Sequence, residues 1–262
     1  MCYPVRSAER TGARIIQLLH NIGHAMIMLM EAVWFSRLAF GPRSRRETMT
    51  QMYVTGIKSL PVITVVALFI GMILALQTGL ELQRYGQEKY IGSAVAVVMI
   101  REMGPFMSAL IIAASVGSAI AAQIGTMVVS EEVAALEVMS INPNRFLVVP
   151  RLVALVIMMP LLAVYTNILG ILGGAVVGTT QLDVSFRAYM DNALDIAHNK
   201  DLYVGLLKAF IFGIIIATVA CHQGFMTTEG AVGVGRSTRR SVVVSFLVIL
   251  VIGYMITRLF YI

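Results

Sequence analysis

Five long stretches of the chain carry no charged residue, and each is about long enough to cross a lipid bilayer as a helix. A bilayer core requires about 20 apolar residues per helical crossing. The apolar runs are continuous rather than alternating, which is typical of membrane helices and not of membrane strands. We therefore predict an all-α integral membrane protein. With their flanking residues, the five transmembrane helices are predicted at residues 59–80, 90–128, 147–182, 203–228 and 241–260.

The segment at residues 12–40 is apolar but interrupted by charged residues, so it could either cross the membrane or lie in its interface. Arginines flank it on both sides, at Arg6, Arg10, Arg14, Arg43, Arg45 and Arg46. If the segment crossed the bilayer, basic residues would stand on both faces, against the rule that they collect on the cytoplasmic side. A helix lying in the interface keeps all six on one side. We expect an interfacial amphipathic helix, with a further crossing as the alternative.

Basic residues also predict the orientation of the five crossings. Of the 20 Lys and Arg residues, 13 fall in segments 1–58, 129–151 and 229–240, which are then cytoplasmic, so the N-terminus is inside and the C-terminus outside. The formal net charge of +6 is therefore attributed to membrane topology and not to nucleic acid. With 13% charged and 58% hydrophobic residues, residues 1–262 are interpreted as a single membrane domain.

The cytoplasmic loop after the second crossing contains a predicted short helix at residues 131–141. Ser130 is a suitable N-cap, and Glu131 and Glu132 suit the positive end of the helix dipole. Asn142 and Pro143 are a typical stop signal.

No motif in the chain indicates an enzyme. Residues 230–237 match the spacing of a phosphate-binding loop except that Arg236 replaces the lysine. A membrane helix and not a buried strand precedes this segment, so we interpret it as a tight cytoplasmic turn. The histidines lie in different elements and form neither a metal motif nor a catalytic set. The sequence predicts no metal and no cofactor bound by this chain.

Small residues at helical spacing predict close contacts between helices, a common feature of membrane bundles. The residues expected to pack in this way are Gly117, Ala121, Gly170, Gly174 and Gly178.

Arg101 and Glu102 are the most informative ionisable residues. Charged groups beside membrane-depth sequence are costly, and they normally face a cavity, a partner or each other. Two readings stay open: the pair lines a transport pathway, or it anchors a helix end at the outer interface. Sparse polar residues elsewhere in the spans are further pathway candidates, namely Gln77, Thr78, Gln123 and Asn167. A pathway so poor in charge suits amphipathic or lipidic cargo better than ions.

Several phrases of the sequence resemble the MlaE family, the permease subunits of ABC-type phospholipid transporters of Gram-negative bacteria and related organelles. They lie at residues 101–105, 116–127, 131–136, 142–151 and 233–238. The resemblance covers most of residues 45–260 and keeps the order and spacing of the family. The resemblance implies an interfacial helix and five membrane helices in a homodimer of the inner membrane that holds phospholipid.

The resemblance also implies two protein partners. A cytoplasmic ABC ATPase binds ATP and receives the 131–141 helix as a coupling helix, and a periplasmic ring of mammalian-cell-entry (MCE) domains exchanges lipid with the permease. The coupling residues implied in this way are Glu131, Glu132, Leu136, Glu137 and Met139. The chain lacks three charges common in the family, where it has Ala114–Ser115, Gln123 and Gly253–Tyr254. These departures increase the importance of Arg101 and Glu102.

Two other functions remain open from the residues alone. A stand-alone carrier or channel for amphipathic solutes needs ligands inside the spans and is usually built from repeated halves, neither of which is evident. A membrane scaffold that holds an envelope complex without moving lipid is the second alternative.

Overall fold

The computed structural model describes residues 16, 20, 22–35, 42–196 and 199–261. All regular structure in these residues is helical. The helices are α1 (Ile22–Phe35), α2 (Pro42–Thr55), α3 (Leu60–Arg84), α4 (Ile91–Val98), α5 (Gly104–Ile112), α6 (Ser118–Val129), α7 (Glu132–Val138), α8 (Val149–Thr180), α9 (Phe186–Asp195), α10 (Asn199–Phe225) and α11 (Gly230–Tyr261).

Five continuous helical segments within the described residues are long and apolar enough to cross a membrane. They run over Arg45–Arg84, Glu88–Val129, Asn144–Thr180, Asn199–Phe225 and Gly230–Tyr261. The predicted all-α membrane fold with five long apolar helices is confirmed. Of the segment predicted as interfacial, residues 22–35 form the shorter apolar helix α1, and its position in the membrane interface stays a prediction.

The bundle has two ends, which we name after the short helices found there. The α7 end carries α1, α7 and the beginnings of α3 and α8, and Asn144 Nδ2 there donates a hydrogen bond of 2.6 Å to Glu31 Oε2 of α1. The α9 end carries α9, which packs on α4 and α8. Met28 and Ala32 of α1 are buried in the larger apolar core, so α1 is packed onto the bundle.

The helix α8 is central, since it packs against α2, α3, α4, α5, α9 and α10. Small residues permit these contacts: an added Cβ at Gly71 of α3 would collide with the Gly170 backbone of α8. Gly174 and Gly178 leave room for the buried ring of Tyr189 on α9, where burial raises the pKa of the phenol. Gly117 lies against Ile216 of α10. Ala121 is fully buried, and its carbonyl lies 3.3 Å from a Cβ built at Gly224 of α10.

The last span begins earlier than the sequence indicates. Helix α11 starts at Gly230, so the glycine-rich segment 230–237 is helical and the interpretation as a tight turn is wrong. The turn lies just before it, where Glu229 and Gly230 have φ of 67° and 64°. The segment is helical because it packs: an added Cβ at Gly233 would meet the Thr228 carbonyl, and Thr227 Oγ1 bonds Ser237 Oγ at 2.9 Å. Tertiary contacts here override the weak helical preference of glycine.

The short helix after the second span also differs from its prediction. Helix α7 covers only Glu132–Val138, and the residue at its N-cap is Glu131, in the left-handed conformation with φ of 61°. The expected cap is wrong, because the Ser130 hydroxyl bonds the Thr126 carbonyl and the Glu132 carboxylate. Asn142 does not stop α7; its side chain accepts bonds from the backbone of Asn144 and Arg145 at the beginning of the next span.

Candidate functional site

A change of helical pitch occurs at Arg101 and Glu102, within the half of the second span that is nearer the α9 end. Residues Met99–Met103 form a π-helical turn in which the Gly104 N–H donates to the Met99 carbonyl five residues earlier. Pro105 follows and has no N–H to donate to the Arg101 carbonyl four residues before it. π turns inside α-helices are frequent at functional sites, and this one leaves a carbonyl that a side chain can satisfy.

The side chain of Lys208 on α10 satisfies that carbonyl. Its Nζ atom donates to the Arg101 carbonyl at 2.9 Å, to Glu102 Oε1 at 2.6 Å and to Thr257 Oγ1 of α11 at 2.8 Å. These three bonds use all three donors of an ammonium group. The Lys208 side chain is only 1% exposed, whereas that of Glu102 is 40% exposed. A buried cation is therefore fully paired, and its partner carboxylate remains accessible.

A second ion pair joins the same three helical segments at the α9 end of the bundle. Arg101 Nη2 donates to Asp201 Oδ2 at 3.0 Å, and Nε lies 2.8 Å from Oδ1. The Tyr261 hydroxyl donates to Asp201 Oδ1 at 2.7 Å, and the Arg101 guanidinium lies 4.6 Å from the centre of the Tyr261 ring. Asp201 belongs to the first turn of α10 and Tyr261 to the last turn of α11, so Arg101 joins both helix ends to the π turn.

A cavity of about 330 Å³, which we call the Glu102 pocket, opens beside the Lys208 ion pair. Its lining is mostly apolar and comes from three helical segments: Glu102, Met103, Phe106, Lys208, Phe212, Ile249, Leu250, Gly253, Tyr254 and Thr257. Gly253 leaves room for the Phe212 ring, because an added Cβ would lie 3.3 Å from its Cζ atom. Tyr254 is 65% exposed, so the pocket reaches the outer face of α11. Apolar walls with a few convergent polar groups are the usual character of a ligand site.

The six pathway candidates from the sequence do not form one site. Glu102 lines the pocket, and Arg101 contacts the neighbouring ends of α10 and α11. Gln77 is exposed on α3, and the Thr78 hydroxyl bonds the Leu74 carbonyl of its own helix. Asn167 is buried against Gly104, between α8 and α5, and so has a packing position.

Gln123 is exposed and contacts a buried arginine near the α7 end, away from the Glu102 pocket. Its Oε1 atom accepts a bond of 2.9 Å from Arg151 Nη2 of α8. Arg151 is only 4% exposed, and its Nη1 atom donates to the Leu147 carbonyl at 2.6 Å. Gln123 therefore joins α6 to α8 and does not line the Glu102 pocket.

The sequence interpretation missed four residues of the site: Lys208, Asp201, Thr257 and Tyr261. Lys208 falls inside the span predicted at residues 203–228, and Asp201 lies two positions before that span begins. One signal was available for Lys208, because an isolated cation in an apolar stretch needs a counter-charge. Glu102 is the acid at matching depth, although 106 positions separate the two residues.

The helix α7 projects from the bundle and contacts α6 within the described residues. Glu131, Glu132, Glu137 and Met139 are exposed, and Leu136 is half-buried. Val138 is 87% exposed, so the surface combines acidic and apolar groups.

Comparison with known proteins agrees with this architecture. Residues 48–259 match the family described as Permease MlaE. A probable ABC transporter permease protein of Rickettsia felis is 37% identical over 254 residues, which cover 97% of each chain. The intermembrane phospholipid transport system permease protein MlaE of Haemophilus influenzae is 33% identical, with 95% of each chain covered. The chloroplastic protein TRIGALACTOSYLDIACYLGLYCEROL 1 of Arabidopsis thaliana is 32% identical over 86% of this chain and 64% of its own. The chain is thus a multi-pass membrane protein that belongs to the MlaE permease family.

Proposed function

We propose that this protein is the permease subunit of an ATP-driven phospholipid transporter in a bacterial inner membrane. It moves lipid between that membrane and a periplasmic partner with MCE domains. In this arrangement the α7 end and the N-terminus are cytoplasmic and the C-terminus is periplasmic, as the distribution of basic residues predicts. The similarity to the intermembrane phospholipid transport permease of Haemophilus influenzae supports the cargo class.

The observation that carries the proposal is the buried Lys208–Glu102 pair at the edge of an apolar pocket. Apolar walls formed by Phe106, Phe212 and Ile249 suit an acyl chain. A phosphate can replace Glu102 beside Lys208, and a headgroup amine can replace Lys208 beside Glu102. Because the two exchanges together leave all four charges paired, a zwitterionic headgroup binds without the large penalty of an uncompensated buried charge.

The pocket also supports a homodimer as the working unit. Its 330 Å³ falls at the low end of ligand pockets, which hold about 300–1,000 Å³, and is small for a whole phospholipid. The exposed Tyr254 and Leu250 place one open side on the outer face of α11. A second copy packed against this face completes a cavity for one lipid, and relative movement of the copies opens or closes it.

The exposed helix α7 suits the contact with an ATPase. Its acids and several apolar side chains are exposed. It follows directly on α6, which is the last part of the second span, the span that carries Glu102. ATP binds and is hydrolysed in the partner subunit, and this chain binds no cofactor. Nucleotide shifts the dimer between two conformations only as far as its affinity for them differs.

Affinity purification of the tagged protein in mild detergent, followed by mass spectrometry of proteins and lipids, tests the proposal. The wild type is expected to retain a P-loop ATPase, a membrane-anchored MCE protein and phospholipid. The double variant Glu131→Lys/Glu132→Lys should lose the ATPase and keep the phospholipid, because charge reversal affects only α7.

A matched control reverses two exposed acids at the other end of the bundle, in Glu81→Lys/Glu88→Lys, and should keep the ATPase. Retention of the ATPase by Glu131→Lys/Glu132→Lys would refute the contact through α7. A wild type that is purified without any ATPase would refute the transporter assignment itself.

A further inference from the structure

The outer face of α3 continues without interruption onto α2. Exposed apolar residues follow one another every three to five positions along both helices, at Met49, Tyr53, Ile57, Val62, Val65, Phe69, Ile73, Leu76 and Leu80. The part of this column on α3 belongs to a membrane span, where an exposed apolar face meets acyl chains. The part on α2 is equally exposed, since Met49 and Tyr53 show 53% and 50% of their surface.

Basic residues lie at the beginning of the column and beside its part on α2. Arg45 and Arg46 are exposed one turn before Met49, and Lys58 lies with its Nζ atom 5.9 Å from the centre of the Tyr53 ring. A shallow depression of about 540 Å³ is lined by Arg45, Arg46, Met49, Thr50 and Tyr53. Tyrosine with arginine or lysine is the residue combination found at the level of lipid headgroups.

The opposite face of α2 fixes the orientation of this surface. Thr48, Gln51 and Thr55 are buried, and α2 packs along α8. The Gly56 backbone lies against Met158 of α8 at the junction with α3. The arginines are therefore held on the outward face by packing on the other side of the helix.

The surface carries positive charge without a counter-charge from the part of the chain that the structure describes. Within those residues, no carboxylate lies within ion-pair distance of Arg45, Arg46 or Lys58. Glu47, the acid next to them in sequence, accepts a bond of 2.9 Å from Gln51 Nε2. Arginine pairs well with phosphate because its planar fork of donors matches the phosphate oxygens.

From this juxtaposition of Arg45, Arg46 and Lys58 with the exposed column of α2, we infer that α2 binds the headgroup of an anionic phospholipid. The acyl chains of this lipid lie along Tyr53, Ile57 and the outer face of α3, and its phosphate lies between the arginines. The site goes beyond the proposed function: it lies at the beginning of the first span, while the Glu102 pocket lies toward the α9 end. The lipid bound at α2 stays with the protein and is not the transported cargo, so its binding does not depend on transport.

Native mass spectrometry of the purified protein tests the inference, with phosphatidylglycerol or phosphatidylcholine added at equal concentrations. The wild type is expected to retain phosphatidylglycerol in preference to phosphatidylcholine. Arg45→Gln/Arg46→Gln should weaken phosphatidylglycerol binding by about fivefold for each arginine and leave phosphatidylcholine binding unchanged. The matched control Arg239→Gln/Arg240→Gln removes two exposed arginines from α11 and should bind phosphatidylglycerol like the wild type.

Three results would overturn the inference. The first is wild-type binding of phosphatidylglycerol by Arg45→Gln/Arg46→Gln while it remains monodisperse on size exclusion. The second is an equal loss in both double variants, which would mean that total charge and not this surface attracts the lipid. The third is unchanged lipid binding with loss of a co-purified protein from Arg45→Gln/Arg46→Gln, which would make the surface a protein contact.

Discussion

Lys208 and Arg151 are both buried cations of the helix bundle, but they are stabilised in different ways. Lys208 bonds the Glu102 carboxylate and borders a pocket. Arg151 bonds two neutral oxygens, the Leu147 carbonyl and the Gln123 amide. An ion pair can exchange partners with a charged ligand, whereas a guanidinium bonded to neutral dipoles acts as a fixed clamp between α8 and α6. The difference separates a site suited to charged cargo from a site that only joins helices.

Replacement of Lys208 is expected to have the largest effect. Lys208→Met removes three hydrogen bonds and leaves Glu102 without its cation, and breaking a buried ion pair costs about 3–5 kcal/mol. We expect the lower end of that range, because Glu102 is 40% exposed and partly solvated. The measurement is the midpoint of thermal unfolding in detergent by fluorescence-detected size exclusion. Glu102→Gln added to Lys208→Met should recover much of the loss; equal midpoints for the single and double variants would contradict the pairing.

Replacement of Arg151 should be less destabilising and should leave cargo binding intact. Arg151→Met removes two hydrogen bonds to neutral oxygens, but Gln123 is exposed and can bond water instead. Only the Leu147 carbonyl then loses a buried partner, at a cost of about 1–3 kcal/mol. The same thermal assay measures the destabilisation, and mass spectrometry measures phospholipid per protein. Loss of phospholipid from a folded Arg151→Met protein would remove the distinction between the two cations.

The smallest effect is expected at Thr257, whose hydroxyl lies between Lys208 and Glu102. Thr257→Val keeps the shape of the side chain and removes the bonds of 2.8 Å and 2.7 Å to those residues, for a cost of about 1 kcal/mol. Thr257→Ser retains the hydroxyl and should resemble the wild type in the thermal assay. If Thr257→Ser were as unstable as Thr257→Val, methyl packing and not the hydroxyl would be responsible.

The contrast between these sites also shows what could be predicted from the sequence. The spans were predictable because a long apolar run without charge has few alternatives in a chain of this composition. Arg101 and Glu102 were conspicuous because charge beside membrane-depth sequence is rare. Their partners were not predictable in the same way, since Asp201 and Lys208 lie about 100 positions away and only helix packing brings them close.

The errors near the ends of helices have a related physical cause. The glycines of residues 230–237 favour a turn by local preference, but contacts of Gly233 and Ser237 with Thr228 and Thr227 hold the segment in a helix. The Ser130 side chain was expected to cap α7, yet it bonds the end of α6 and Glu132 instead. In both places a local signal competed with contacts that the sequence does not display. Helix ends in this protein are therefore less predictable than its spans.

Quantifying the phospholipid that remains with the purified protein tests the central claim most directly, namely that the Glu102 pocket holds lipid. The double variant Lys208→Met/Glu102→Gln removes both charges while keeping similar side-chain volumes, and Gln77→Leu is a matched change of an exposed polar residue outside the pocket. We expect the wild type and Gln77→Leu to retain stoichiometric phospholipid and the folded double variant to lose most of it. Equal phospholipid in all three proteins would contradict the assignment of the Glu102 pocket as the lipid site.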